Sequence, residues 1–92
     1  MSKHSVFVKT EFGVEVLVMA GWDWLMQERW WSILATSGSE VIASSLHSDP
    51  VPSIFHLKKA LLDYGISIPS KMLSAIEKDA AVNNSASAHV CY

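Results

Sequence analysis

The 92-residue sequence has a single cysteine, Cys91, and no cluster of metal-ligating side chains. One cysteine excludes an intrachain disulfide and is typical of a protein in a reducing compartment. The four histidines share no ligand spacing with one another or with Cys91, so the sequence predicts no metal site. Four glycines are spread along the chain at 13, 21, 38 and 65. A glycine-rich phosphate loop is therefore missing, and no cofactor is expected.

The sequence also has no large excess of one sign of charge and no long apolar run. Nine acidic and seven basic residues give a net charge of −2, so no strong field attracts nucleic acid or an anionic membrane. No apolar run approaches the roughly 18 residues of a membrane span, and the first residues lack the apolar core of a signal peptide. The sequence therefore predicts a soluble, cytoplasmic protein that does not bind membranes, and nucleic acid is the least favoured of the partners considered below.

Apolar side chains, in contrast, are abundant. Half of the residues are hydrophobic and 17% are charged, which is apolar for so short a chain because small domains have a high surface-to-volume ratio. Some apolar surface is expected to stay exposed on the monomer. Such patches usually mark contacts with other proteins.

All four tryptophans fall within residues 14–36, which the pattern predicts to be two strands joined by a tight connection. Side chains alternate across a strand, so the adjacent Trp30 and Trp31 must point to opposite faces. Both strands are apolar on both faces, which is typical of a sheet that is covered on both sides. This chain is expected to supply one cover, and a partner the other.

The remaining pattern predicts the fold class. Further strands are predicted at residues 4–9 and 41–46, with a turn at residues 37–39, and the polar last strand fits a sheet edge. Two amphipathic helices follow, at residues 54–64 and from about residue 69 to 79. The prediction is an α+β domain spanning residues 1–80: an antiparallel meander of three to four strands, then two helices packed on one sheet face. Residues 81–92 carry neither charge nor periodicity and are predicted to be a flexible tail.

Three residues mark the predicted ends of the helices. Ser53 follows a proline-rich stretch and is predicted to cap the first helix. Gly65 is well placed as a left-handed residue at the end of that helix. Pro69 suits the first turn of the second helix.

The tryptophan-rich stretch is the predicted interaction surface. Tryptophan and arginine are enriched among residues that anchor protein interfaces, and the chain has only one arginine. One ring of the Trp30/Trp31 pair is expected in the core, and the other in an intermolecular contact together with a ring of the connection. The predicted binding residues are Trp22, Trp24, Arg29, Trp30 and Trp31.

A polar site is the alternative. His47 and Asp49 stand close together beside the proline-rich stretch, and His56 lies on the first helix. Turn chemistry explains the first two, and a surface position explains the third. No Gly-x-Ser-x-Gly elbow is present, so no catalytic residue is assigned.

Several short motifs together resemble the spaced pattern of a group of short uncharacterised bacterial proteins. They are Gly21-Trp22-Asp23 with Gln27, Leu46 with Asp49-Pro50, Tyr64-Gly65-Ile66-Ser67-Ile68-Pro69 with Met72-Leu73, and Asp79 with Asn83. The resemblance implies a bacterial origin and a small α+β domain. It implies no activity, cofactor or catalytic residue.

Three functions are consistent with these patterns. The first is a small non-enzymatic interaction module, a homodimer, adaptor or inhibitor that uses the Trp-rich sheet face or edge. The second is a small-molecule-binding or enzymatic domain with a pocket between sheet and helices, using His47, Asp49 or His56. The third is DNA binding through the C-terminal helix pair, which has few cationic side chains for that role.

Overall fold

The computed structural model of the protein describes residues 1–37, 40–45, 51–85 and 89–92. Within these ranges the chain forms five strands and two helices. In chain order they are β1 (Lys3–Lys9), β2 (Glu15–Asp23), β3 (Glu28–Leu34), β4 (Val41–Ser44), α1 (Ile54–Leu62), α2 (Ser70–Ala81) and β5 (His89–Cys91).

The strands form one sheet in the order β4-β3-β2-β1-β5. The first four strands are an antiparallel meander, because short turns join them and let each pair with its predecessor. Strand β5 pairs in parallel with β1 and makes the sheet mixed. The predicted α+β class is confirmed, and β4 lies at a sheet edge as expected.

Polar side chains hold the two β-hairpin turns that join β1 to β2 and β2 to β3. The Thr10 hydroxyl accepts hydrogen bonds from the backbone N–H groups of Phe12 and Val14, at 3.3 and 3.2 Å. In the second turn, an Asp23 carboxylate oxygen accepts from the N–H groups of Leu25 and Met26. These short-range bonds replace ladder bonds where the chain reverses, and so they set the register of β2 against both neighbours.

The signals at the helix ends are largely confirmed. The Ser53 hydroxyl accepts a hydrogen bond from the His56 N–H and caps α1, and Gly65 has the left-handed conformation with φ +73°. Helix α1 ends at Leu62, two residues before the predicted end. Pro69 lies just before α2 and not in its first turn, because its ψ of 144° is extended.

The core lies between the helices and one face of the sheet. Val18 and Ala20 of β2 are fully buried there, beneath Leu57 of α1 and Met72 and Ile76 of α2. Helix α2 contacts β2 and β3 from this side, and helix α1 contacts β3. This arrangement leaves the other sheet face without a helical cover among the residues that the structure describes.

Regular structure continues into the segment that the sequence analysis treats as a flexible tail. Helix α2 extends to Ala81, and residues 89–91 form β5 beside β1. Tyr92 then donates a backbone hydrogen bond of 2.8 Å to the Ser5 carbonyl. A three-residue strand is too short to show an alternating pattern in the sequence. Its pairing depends on the edge of β1, which exists only once the sheet has formed. Only Ser37 of the predicted turn at residues 37–39 lies within the described residues. The predicted end of the fourth strand, residue 46, lies outside them.

Candidate interaction surface

The adjacent tryptophans of β3 point to opposite faces of the sheet, as their positions require. Trp31 pairs with Ala20 across the sheet and is 2% exposed, within the core. Trp30 pairs with Gly21 on the other face and is partly exposed. Trp31 therefore offers no surface to a partner, whereas Trp30 does.

We use the name open face for the side chains of β1, β2 and β3 that point away from the helices. Its members follow from the strand register, in which Ser5 is opposite Met19, Met19 opposite Ser32, Phe7 opposite Leu17 and Leu17 opposite Leu34. The open face consists of Ser5, Phe7, Leu17, Met19, Trp30, Ser32 and Leu34.

The open face is apolar at its centre. Leu17 and Leu34 lie in one row with Phe7 and are each 8% exposed. Phe7 itself is 65% exposed. A hollow of about 310 Å³ lies beside Phe7, with Lys9, Glu15 and Thr36 in its wall. The surface thus presents an aromatic knob next to a concave site.

Within β1, β2 and β3, the charged side chains that share this face lie at the strand ends. Lys3 and Lys9 begin and end β1, and Glu15 and Asp23 begin and end β2. Glu28 begins β3. The two central rows of the open face therefore carry no Asp, Glu, Lys or Arg, and Lys9 and Glu15 border the row that contains Phe7.

Trp30 is fixed against the sheet by two neighbours. Its indole Nε1 donates a hydrogen bond of 3.2 Å to the Ser2 carbonyl oxygen. Beneath the ring lies Gly21, where a Cβ atom would come within 2.9 Å of Nε1 and 2.1 Å of the Ser2 oxygen. Only glycine leaves room for this arrangement. These two contacts hold the Trp30 ring in one position on the sheet.

Trp22 and Trp24 have different surroundings. Trp22 is buried, and its indole donates a 3.1 Å hydrogen bond to the Asn83 side-chain oxygen, which also accepts from Gln27. Trp24 lies in the turn at residues 24–27 and is 38% exposed. Of these two predicted binding residues, only Trp24 presents surface. The burial of Trp22 follows from its position on the core face, opposite Arg29.

Arg29 is engaged within the chain. Its Nε and Nη2 donate to the two carboxylate oxygens of Glu77 at 2.6 and 3.0 Å, and its Nη1 donates to the Pro52 carbonyl at 2.9 Å. The guanidinium also lies 5.6 Å from the centre of the Trp22 ring. This side chain joins β3 to α2, so the structure places it in an internal contact and not on the predicted interaction surface.

The predicted polar site is described only at His56. His47 and Asp49 lie outside the described residues. His56 is exposed on α1, and its Nδ1 lies 2.6 Å from the Ser53 hydroxyl at the helix cap. The contacts of His56 are those of a capping residue, and it lines none of the cavities described here.

Sequence reasoning missed a polar cluster around the end of α2. His4 of β1 is buried, and its Nε2 lies 2.7 Å from Oδ2 of Asp79. The Tyr92 hydroxyl lies 3.0 Å from the other ring nitrogen, and the Asn84 amide donates to Asp79 at 3.1 Å. The resemblance motif that pairs Asp79 with Asn83 is the only sequence signal near it. The cluster ties β1, α2 and the residue after β5 together.

The surroundings of this cluster shift two pKa values. Burial alone would raise the pKa of Asp79, but hydrogen bonds from His4, Asn84 and Ser2, with the charge of His4, hold it below its ordinary value of 3.8. Burial, and then the negative charge of Asp79, raise the pKa of the Tyr92 hydroxyl above 10.0. The fold therefore favours the ionised form of the Asp79 carboxylate.

A second small cluster lies where β5 meets β1. The Ser5 hydroxyl is 2.9 Å from His89 Nε2 and 3.5 Å from Cys91 Sγ, and the latter two atoms are 3.7 Å apart. Both β5 side chains are exposed. Within the described ranges, no group of three or more His, Cys, Asp and Glu side chains could hold a metal ion.

The helices of the described chain are too short or too polar to cross a membrane. Comparison with known proteins finds no matching family model, no matching curated protein and no matching solved structure.

Proposed function

We propose that this protein is a non-enzymatic interaction module whose open face binds a second copy of the chain. The observation that carries the proposal is the apolar row of Phe7, Leu17 and Leu34, which no helix of the described chain covers and in which Phe7 is 65% exposed. Apolar surface without a cover costs free energy in water, and a partner that covers it recovers that free energy.

Self-association is favoured over a different partner because the surface offers two complementary shapes side by side. Phe7 projects from the sheet, and the hollow beside it has a volume of about 310 Å³. In a two-fold symmetric dimer the same patch is used twice, so each copy provides one knob and one hollow. An aromatic side chain inserted into a pocket is the usual form of an interface anchor.

The open face alone is smaller than a standard interface. It spans three strands, of which β1 and β3 have seven residues each. With about 4.8 Å per strand and about 3.3 Å per residue, it measures roughly 14 by 23 Å in projection. A standard interface buries ~800 Å² per partner, so the proposed contact extends beyond these strands onto the neighbouring edges and turns.

Trp30 lowers the cost of binding. An interface side chain loses about 0.5–1.5 kcal/mol of rotamer freedom when a partner fixes it. The Ser2 hydrogen bond and the close contact with Gly21 already hold the indole in place. Trp30 can therefore act as a second, preformed anchor, four residues along β3 from the row that contains Phe7.

A matched pair of phenylalanine variants tests the proposal. Phe7 and Phe55 are both exposed, at 65% and 76%, but Phe7 lies on the open face and Phe55 on the outer side of α1. Phe7→Glu would bury a charge in the dimer and should shift the protein to monomer. Phe55→Glu should leave the oligomeric state unchanged. Size-exclusion chromatography with light scattering, together with circular dichroism to check folding, measures both.

Three outcomes distinguish a dimer through the open face, a dimer through the helical side and a monomer. A wild-type dimer that only Phe7→Glu dissociates supports the proposal. A dimer that dissociates in Phe55→Glu, and not in Phe7→Glu, assigns self-association to the helical side. A wild-type monomer contradicts self-association and leaves the open face to a different protein, as expected of an adaptor or inhibitor.

A further inference from the structure

A cavity of about 340 Å³ lies on the helical side of the molecule, between α1, the link at residues 66–68 and the first turns of α2. Its wall is mostly aliphatic. Leu61 and Ile66 are almost fully buried beneath it, whereas Leu62 is 59% exposed at its side. Ile68 and Leu73 complete the apolar wall. The cavity is thus hydrophobic inside and open to solvent.

Two lysines stand at the cavity. Lys58 and Lys59 both line it and are both exposed. Neither forms a salt bridge in the part of the chain that the structure describes. Among the described residues, no acidic side chain belongs to the wall. Two unpaired positive charges beside an apolar cavity match a ligand that has a negative head and an apolar tail.

The start of α2 adds to the positive potential on this side. The helix begins between Ile68 and Leu73, which both line the cavity. No side chain caps its first N–H groups, and its first turn contains no acidic residue. The positive end of the helix dipole therefore stays uncompensated near the two lysines.

We propose that this cavity binds an anionic amphiphile of the medium-chain carboxylate class. The tail lies against Leu61, Ile66 and Leu73, and the carboxylate meets the ammonium groups of Lys58 and Lys59. Sites for small molecules have volumes of about 300–1,000 Å³, with mostly apolar walls and a few placed polar groups. At about 340 Å³ the cavity is at the lower end of that range, which selects a short chain.

This site is independent of the proposed dimer. The cavity belongs to α1 and α2, whereas the open face is on the other side of the sheet. The loss of one function therefore leaves the other intact, and each can be tested in the full chain.

Titration with decanoate below its micelle concentration is the direct test. The expected result is saturable binding of one decanoate per chain, with amide NMR shifts concentrated at residues 58–73. Each added CH₂ group should strengthen binding about fourfold if the tail is buried, so octanoate, which is two CH₂ groups shorter, should bind roughly fifteenfold more weakly than decanoate.

Two lysine pairs provide the matched variants. Lys58→Gln with Lys59→Gln should weaken decanoate binding about three- to tenfold, because two solvent-exposed ion pairs are lost. Lys3→Gln with Lys78→Gln removes two charges that do not line the cavity, and should leave binding unchanged. Decyltrimethylammonium, which has a similar tail and a positive head, should bind at least tenfold more weakly than decanoate.

Four results would overturn the proposal. They are the lack of saturable decanoate binding, an affinity independent of chain length, equal binding of the cationic amphiphile, and NMR shifts centred on Phe7 and Trp30. Binding to vesicles of anionic lipid without binding of monomeric decanoate would assign this surface to a membrane, and would also contradict the proposed ligand.

Discussion

His4 of β1 and Asp79 of α2 lie 75 positions apart in sequence, and their side chains meet at 2.7 Å between Nε2 and Oδ2. The contact joins the first strand to the end of the last helix. Tyr92 approaches the same imidazole from beyond β5, with its hydroxyl 3.0 Å from Nδ1. One buried histidine thus connects three parts of the fold.

The pair predicts a pH-dependent loss of stability. Asp79→Asn keeps the shape of the side chain and removes its charge, so at pH 7 the free energy of unfolding should fall by about 1–3 kcal/mol. The folded state holds the pKa of Asp79 below 3.8, so this contribution is present above the unfolded pKa and disappears as the pH falls through the folded pKa. Urea unfolding at a series of pH values should show the two proteins converging in acid.

Asp63→Asn is the control for that prediction. Asp63 is an exposed carboxylate at the end of α1, so its replacement should change the free energy of unfolding by less than about 0.5 kcal/mol. If the free energies of unfolding of wild type and Asp79→Asn differed by the same amount from pH 7 to pH 2, the charge of Asp79 would not be the source of its contribution to stability.

Glycine at position 21 is predicted to be required by the placement of Trp30. In Gly21→Ala the new Cβ would meet the Ser2 oxygen at 2.1 Å and the Trp30 Nε1 at 2.9 Å. Either the N-terminal residues or the indole must move, so we expect a loss of about 1–3 kcal/mol and a shift of the Trp30 indole N–H resonance.

Gly13→Ala is the matched comparison. Its φ of +83° disfavours alanine, but nothing lies within 4 Å of the added Cβ. The cost should be about 1 kcal/mol, from backbone strain alone, with the Trp30 resonance unchanged. An unchanged Trp30 indole N–H resonance in both variants would show that close packing beneath the ring is not the reason for the glycine at position 21.

Local signals in the sequence predicted much of the fold, and contacts between distant residues could not be predicted. Ser53 and Gly65 act on their own neighbours, so a single sequence is enough to place them. Adjacent positions 30 and 31 fix opposite faces for the two tryptophans, but not which face is the core. That choice depends on α1 and α2 packing against Trp31. Strand β5 and the His4–Asp79 pair need partners 75 or more residues away, and no local pattern records them.

The same limit applies to the predicted interaction surface, which stays a prediction. Sequence reasoning selected tryptophan and arginine by residue type, which does not separate Trp30, on the open face, from the buried Trp22. Phe7 was not selected, because a single aromatic residue in a short strand carries no signal of its own. Its role in the proposed surface follows from the register that places it opposite Leu17.

Arg29 and Glu77 are predicted to be energetically coupled. Arg29→Lys keeps the charge but loses the two parallel hydrogen bonds to Glu77 and the bond to the Pro52 carbonyl. Because the Glu77 side chain is 40% exposed, solvent limits the coupling to about 0.5–1 kcal/mol. A double-mutant cycle of Arg29→Lys with Glu77→Gln, followed by urea unfolding, measures it.

The control cycle combines Arg29→Lys with Glu40→Gln. Glu40 is exposed in the connection between β3 and β4, and its effect should add to that of Arg29→Lys within about 0.5 kcal/mol. Equal coupling in both cycles would point to the overall charge of the protein, and not to the contact between Arg29 and Glu77.

The central claim is that two copies meet through the open face, and the mass of the protein in solution tests it most directly. Light scattering over a concentration series should give a mass that rises from 10.2 kDa towards twice that value. A mass that stays at 10.2 kDa at every concentration would contradict the account.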